Sequence, residues 1–140
     1  MPKIITCTDY EKLSLDIFKG VYPPFEDSFL LASTIPSGLS GKKVLDLCTG
    51  CGLFGIIALQ NGAIDVTFAD QSTAAVECAQ HNAEKNKGNW AYPLSSKKPE
   101  PILTFATGSL FEKLGKEKFD FIIVNPPYLP AEKVLARAAI

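Results

Sequence analysis

Lys42-Lys43-Val44-Leu45-Asp46-Leu47-Cys48-Thr49-Gly50-Cys51-Gly52-Leu53-Phe54-Gly55 decides how this 140-residue chain folds. Val44 to Leu47 reads as a short strand, and Gly50, Gly52 and Gly55 behind it fit the spacing G-x-G-x-x-G. Leu53 to Leu59 is apolar on every side, which predicts a buried helix, and Asn61-Gly62 supplies its stop. Glycines between a strand and a helix let the backbone approach a nucleotide closely. The next apolar run, Val66-Thr67-Phe68-Ala69-Asp70, ends on an acid 20 residues after Gly50, the place of a ribose-binding carboxylate.

Two ligand classes fit this fingerprint. A dinucleotide would lay its pyrophosphate over the glycine turn. Asp46, four residues before Gly50, argues against that, because anion beside anion is repulsive. S-adenosylmethionine brings an ammonium and a sulfonium instead of a phosphate, and an acidic strand end suits both.

A second motif lies downstream, in Phe119-Asp120-Phe121-Ile122-Ile123-Val124-Asn125-Pro126-Pro127-Tyr128. Asn125 to Tyr128 follows an apolar run, where a buried strand opens into a loop. The Asn125 oxygen can accept from a planar –NH2 group. Pro126 and Pro127 fix the backbone and carry no N–H, which leaves a carbonyl as second acceptor. Tyr128 offers a ring for stacking. Asn-Pro-Pro taken alone is also a good turn. The glycine motif upstream, in the right order, favours the functional reading.

With these motifs the chain resembles the class I S-adenosylmethionine-dependent methyltransferases of the Asn-Pro-Pro-Tyr type, and within them the HemK-type protein-glutamine methyltransferases. Val21-Tyr22-Pro23-Pro24-Phe25-Glu26-Asp27-Ser28-Phe29-Leu30-Leu31 is similar to the segment before the fold in the archaeal and eukaryotic branch. The resemblance runs from about residue 21 to residue 130. It implies that the Asp46 to Gly52 turn, with Cys48, Thr49 and Gly50, holds the methionine part of the donor. Asp70, with Gln71 beside it, would accept from the ribose hydroxyls, and Ser109 and Leu110 would flank the adenine. Relatives usually carry Asp at the place of Ser109, and a neutral hydroxyl accepts more weakly than a carboxylate. Asn125, Pro126, Pro127 and Tyr128 would hold the substrate amine beside the donor. The protein's task is then alignment of nucleophile, methyl and sulfur, and no metal is implied.

Composition sets bounds on this reading. With 46% hydrophobic residues the chain can bury a core, and a net charge of −1 lacks the basic bias of a free-standing nucleic-acid binder. Lys85, Lys87, Lys97 and Lys98 fall in or beside one loop and read as solvated. No apolar run suggests a membrane span, and the amino terminus does not read as a signal peptide, so a cytoplasmic location is expected. Cys48-Thr49-Gly50-Cys51 is a C-x-x-C, yet Cys7 and Cys78 are isolated and His81 is the single histidine. Packing inside the glycine turn is the expected role of Cys48 and Cys51. Val76, Ala79 and Ala83 mark the buried face of a helix over residues 73–85. His81, off that stripe, is expected as a solvated surface histidine.

The expected fold class is α/β, a Rossmann-like methyltransferase sheet made of its first four strands in the order 3-2-1-4. Residues 1–40 are expected as an amino-terminal arm or helical segment, with residues 9–19 helical or extended. Asp27 or Ser28 should cap a helix over residues 29–34. Residues 41–140 are expected as the donor-binding domain. Its third strand covers 102–107, its fourth 119–124, and a helix 131–140. The family's sheet usually has seven strands, so the fourth is expected on an open edge. That predicts a fragment of a longer protein, or a dimer or activating partner that completes the sheet. The expected function is methyl transfer to a planar amino nitrogen, foremost the side-chain amide of a glutamine in a translation release factor. The alternatives are an adenine or guanine amino-methyltransferase acting on RNA or DNA, and a donor-binding fragment or subunit without turnover.

Overall fold

Leu13, Leu15 and Ile17 alternate with Ser14 and Asp16, and a period of two builds a strand with one buried face. The structure of the chain, a computed structural model, describes residues 2–92, 99–108, 114 and 116–126. In it β1 (Ile4–Tyr10) and β2 (Leu13–Phe18) form an antiparallel hairpin. Tyr10 pairs with Leu13 across the turn, where Glu11 takes a φ of 52°. Residues 9–19, expected as a helix or an extended arm, are thus mostly the second strand of a sheet. Leu13, Leu15 and Ile17 are buried; β1 is largely exposed.

Helix α1 (Glu26–Ser33) follows the Pro23-Pro24 turn. Phe25 stands at its N-cap position, and the helix starts three residues earlier than expected. Neither Asp27 nor Ser28 is the cap. Ser28 sits inside the first turn, and its Oγ accepts from the Phe25 N–H at 3.2 Å. A hydroxyl three residues into a helix can reach back in this way, as in half of a capping box. Phe29 of α1 stacks on Tyr10 with ring centroids 5.5 Å apart.

The remaining elements are β3 (Lys43–Leu47), α2 (Leu53–Gln60), β4 (Asp65–Asp70), α3 (Thr73–Lys85), β5 (Ile102–Thr107) and β6 (Phe121–Val124). The expected fourth strand starts two residues late. The four strands β3 to β6 are parallel, in the spatial order β5-β4-β3-β6. This is the order 3-2-1-4 read from the sequence. Residues 93–98, the expected helix over 131–140, and Lys97 and Lys98 lie outside the described residues. Among the described residues no helix is long and apolar enough to cross a membrane.

Side chains alternate along each strand, so Val44, Val66, Phe68 and Ile123 share one face, which belongs to the main core with Leu53, Ile56 and Ala79. Gly55 lets α2 lie directly on that face. A Cβ there would stand 2.2 Å from Cε1 of Phe68, whose ring is also stacked on Phe105. On the opposite face Ile102, Ile122 and Val124 are exposed. β6 is anchored at its far end by Asp120, whose N–H donates to the Lys43 carbonyl and whose carboxylate accepts from the Lys43 N–H, both at 2.8 Å.

The hairpin is fixed to α3 by side-chain amides. Asn82 accepts from the Asp16 N–H at 2.8 Å and donates to the Asp16 carbonyl at 2.9 Å. One turn later Asn86 does the same with the Ser14 N–H and carbonyl, at 3.1 and 2.9 Å. Residues four apart on a helix thereby match residues two apart on a strand, since both repeats are about 6–7 Å. The free edge of β2 is closed by the helix.

Candidate functional site

Strand order reverses around β3: β4 lies on one side of it and β6 on the other. At such a reversal the loops leave the carboxyl ends of the strands in opposite directions and open a crevice. A cavity of about 800 Å³ lies there. Cys48, Thr49, Gly50 and Cys51 line it from the β3–α2 turn, Asp70 and Gln71 from the end of β4, and Asn125 and Pro126 from the end of β6. The last wall is the Gly20 to Phe25 segment with Asp27 and Ser28 of α1.

The β3–α2 turn is held by two carboxylates. Asp46 is fully buried; its Oδ2 accepts from Thr49 Oγ1 at 2.7 Å and from the Gly55 N–H at 2.8 Å. Its Oδ1 is buried with no hydrogen-bond partner among the described residues. Burial lifts the Asp46 carboxyl to about 7, against the pull of the Thr49 and Gly55 bonds, and the nearby Asp70 charge adds to the rise. Asp70 closes the other end of the turn. Its Oδ2 accepts from the Gly50 N–H at 3.1 Å and its Oδ1 from the Ser72 N–H at 3.0 Å. A carboxylate oxygen has more than one lone pair, so Asp70 can still accept from hydroxyls in the cavity.

The glycines of the motif have separate tasks. Gly50 takes a φ of 54°, and among the described residues beyond its chain neighbours a Cβ there would meet no atom within 4 Å, so this stretch of backbone is bare towards open space. Gly52, at a φ of 91°, faces α3 instead: a Cβ would stand 2.9 Å from Cα of Ala79. Cys48 shares the left-handed conformation, with a φ of 60°, which costs a non-glycine residue about 1–2 kcal/mol. Burial pushes the Cys51 thiol up to about 12 and raises that of Cys48 as well. Neither thiol has the electropositive setting that makes a reactive thiolate. All four cysteines are free.

Across the cavity Asn125 is half-buried, and its Nδ2 donates to Ser28 Oγ at 3.4 Å. The amide oxygen is then the acceptor end. Tyr22 and Phe25, 73% and 62% exposed, stand on the same wall.

Of the residues singled out in the sequence, Cys48, Thr49, Gly50, Asp70, Gln71, Asn125 and Pro126 come together on this cavity. Asp46 and Gly52 stand behind it and shape the turn. Ser109, Leu110, Pro127 and Tyr128 lie outside the described residues. His81 is not simply solvated: its Nε2 lies 2.7 Å from Asp16 Oδ2. Lys85 is also engaged, with Nζ 2.8 Å from Asp16 Oδ1. The bond to Lys85, then that to His81, holds the Asp16 carboxyl below its usual range. Sequence reasoning missed the wall built by residues 20–28 as part of the site, although its aromatic-proline run was visible.

The model of the methyltransferase small-domain family matches residues 26–139. A chain of Methanocaldococcus jannaschii assigned as a protein N5-glutamine methyltransferase is 33% identical over 125 residues, 89% of this chain and 56% of its own length. The release factor glutamine methyltransferase of Geobacter sulfurreducens is 36% identical over 109 residues, 77% of this chain and 34% of that one. The present chain therefore spans between a third and about half of these relatives. In structure it resembles a 16S rRNA N2 methyltransferase of Thermus thermophilus solved with AdoMet and guanosine. The TM-score is 0.71 at 22% identity, over 93% of this chain and 35% of that one, a likeness of fold.

Proposed function

Since this chain belongs to the methyltransferase small-domain family, we propose that it binds S-adenosylmethionine and directs its methyl group to a planar amino nitrogen, foremost the side-chain amide of a glutamine in a translation release factor. The observation that carries this reading is the convergence of Gly50, Asp70 and Asn125 on one cavity. The donor supplies an electrophilic methyl on a sulfonium. The bare backbone at Gly50 suits close approach of its methionine part, and Asp70 has lone pairs left for ribose hydroxyls. Asp46, buried behind the turn with one oxygen unpartnered among the described residues, places negative potential where a cationic donor gains from it once the carboxyl is ionised, above a pH of about 7.

Asn125 would accept a hydrogen bond from the acceptor's –NH2 group, with the Pro126 carbonyl as a second acceptor. Accepting both protons turns the nitrogen lone pair towards the electrophile. The nitrogen can lose its proton after attack, so alignment is the main contribution. Glutamine is preferred as acceptor because the relatives assigned to glutamine methylation share 33% and 36% of their aligned residues with this chain. The net charge of −1 gives no general attraction for a polyanion.

Transfer of a labelled methyl group from S-adenosylmethionine to a release factor, to RNA and to DNA, run side by side, tests the proposal. Label on a glutamine of the release factor is expected. Label only on nucleic acid would overturn the acceptor. Donor binding without transfer to any of the three would leave a binding subunit.

A further inference from the structure

Asn82 is fully buried in α3, and both ends of its amide are hydrogen-bonded, with Cys78 Sγ a further, longer contact of Nδ2 at 3.5 Å. Oδ1 accepts from the Asp16 N–H of β2. Nδ2 has two protons: one goes to the Asp16 carbonyl, the other to the Cys51 carbonyl in the β3–α2 turn, each at 2.9 Å. One side chain thus joins the hairpin to the turn that carries Gly50. Cys51 lies between Gly50, open to the cavity, and Gly52, which is pressed against Ala79 of the same helix. From its position one turn along, Asn86 holds β2 in the same way, but its remaining bond goes to the Asn82 carbonyl within α3 at 2.8 Å. It makes no bond to the turn.

The geometry points to Asn82 as a positioning residue for donor binding, through which docking of the amino-terminal hairpin and occupation of the cavity favour each other. The hairpin lies outside the segment matched to the family, residues 26–139, and contributes no residue to the cavity wall. It acts at second hand. With the hairpin docked, the Asn82 amide is held by Asp16 on both its ends, and its second N–H is aimed at Cys51. With the hairpin displaced, Asn82 loses two of these partners and can turn, and the left-handed turn over Gly50 and Gly52 loses one of its anchors, keeping those of Asp46 and Asp70. Linkage makes the effect reciprocal: whatever a docked hairpin adds to donor affinity, the bound donor adds to docking.

This inference rests on the donor reading above, and its test separates the two. Calorimetry with S-adenosylhomocysteine is run on the full chain, on Asn82→Ala and on Asn86→Ala. The second variant removes the same kind of clamp on β2 without touching the turn. Asn82→Ala should bind at least tenfold more weakly than Asn86→Ala, with a similar loss of thermal stability in both. Asn82→Gln should recover part of the affinity, because it restores a donor near Cys51. Equal affinities for the two alanine variants would overturn the coupling and leave the donor reading intact. No binding by the unaltered chain would overturn the donor reading and the coupling with it. A measurement on the unaltered protein covers the case in which Asn82→Ala does not fold. Hydrogen exchange at the Asp16 and Ser14 amides should slow severalfold when S-adenosylhomocysteine is added. Binding with no change at either amide would overturn the coupling.

Discussion

Asn125, at the end of β6, donates from Nδ2 to Oγ of Ser28 in α1, 97 residues earlier, at 3.4 Å. The bond is long and therefore weak; with Nδ2 turned to Ser28, the amide oxygen is left as the acceptor end. Asn125→Ala should slow methyl transfer by about 30- to 1000-fold while leaving donor affinity within a few-fold. Loss of one aligned hydrogen bond in the transition state costs about 2–4 kcal/mol by analogy with oxyanion-hole deletions. Ser28→Ala should lower kcat modestly and Ser28→Thr should restore it. Steady-state rates with calorimetric donor affinities decide; near-normal turnover in Asn125→Ala would remove the amide from the mechanism.

Asp46→Asn should reveal the cost of a buried carboxylate. The folded chain keeps the Asp46 proton up to a pH of about 7, whereas an ordinary aspartate carboxyl releases it near 3.8. Between those values the folded state binds more protons, so the Asp46 contribution to stability falls as pH rises from about 4 to about 7 and is flat above. The asparagine variant keeps an oxygen for Thr49 and Gly55 and has no charge to bury. It should be more stable than the parent at pH 8, by no more than about 4 kcal/mol at 1.36 kcal/mol per pH unit, and lose this advantage towards pH 5. Donor affinity at pH 8 should fall. Urea unfolding at the two pH values, with calorimetry at pH 8, checks both halves.

Gly50→Ala and Gly55→Ala should fail in opposite ways. At Gly55 the new methyl would enter the Phe68 ring, which is also stacked on Phe105. Overpacking of this kind destabilises by about 1–3 kcal/mol or more. At Gly50 the methyl meets no atom of the described residues beyond its chain neighbours, so the stability loss should be confined to about 1 kcal/mol of left-handed strain, while donor affinity drops strongly. Paired melting and binding measurements separate the two; a Gly50→Ala variant with normal affinity would show that the ligand does not approach there.

Cys48→Gly should stabilise the chain. The left-handed strain at Cys48, about 1–2 kcal/mol, is relieved, and the greater freedom of glycine when unfolded offsets part of that. A net gain of about 0.5–1 kcal/mol in urea unfolding is expected. A loss would mean that the Cys48 side chain contributes more by packing than its conformation costs.

The sheet face bearing Ile122 and Val124, 54% and 43% exposed, should drive association. Among the described residues β6 pairs only with β3, and a free apolar edge invites further strands. Light scattering over a concentration series should show mass rising with concentration, and less so in an Ile122→Lys, Val124→Lys double variant. A constant monomer mass would show that the edge is protected.

The β3–α2–β4 unit was legible because its signals are local: a strand-length run, glycines at fixed spacing, an acid after the next run. The strand order followed from the same motifs once the resemblance was noted. The hairpin was legible in principle, from the alternation Leu13, Leu15, Ile17, but its turn at Glu11-Lys12 has no glycine to announce it. Asn82 and Asn86 were out of reach. A buried amide is recognised by its partners, and Asp16 and Cys51 lie 66 and 31 residues away in the chain. His81 was misread for the same reason, since its partner Asp16 belongs to an element the sequence did not resolve.

The Lys43–Asp120 pair spans 77 residues, and this separation orders events in time. The β3–α2–β4 unit closes over short loops, whereas β6 can join β3 only after a much longer stretch has been gathered in, at a greater entropic cost. On a ribosome the amino end emerges first, so the Gly50–Asp70 half of the cavity can assemble before Asn125 has been synthesised. A one-residue slip in the late pairing would turn Asn125 to the other side of the sheet. The Asp120 carboxylate, bonded to the first residue of β3, is where the register of that last-arriving strand is proofread.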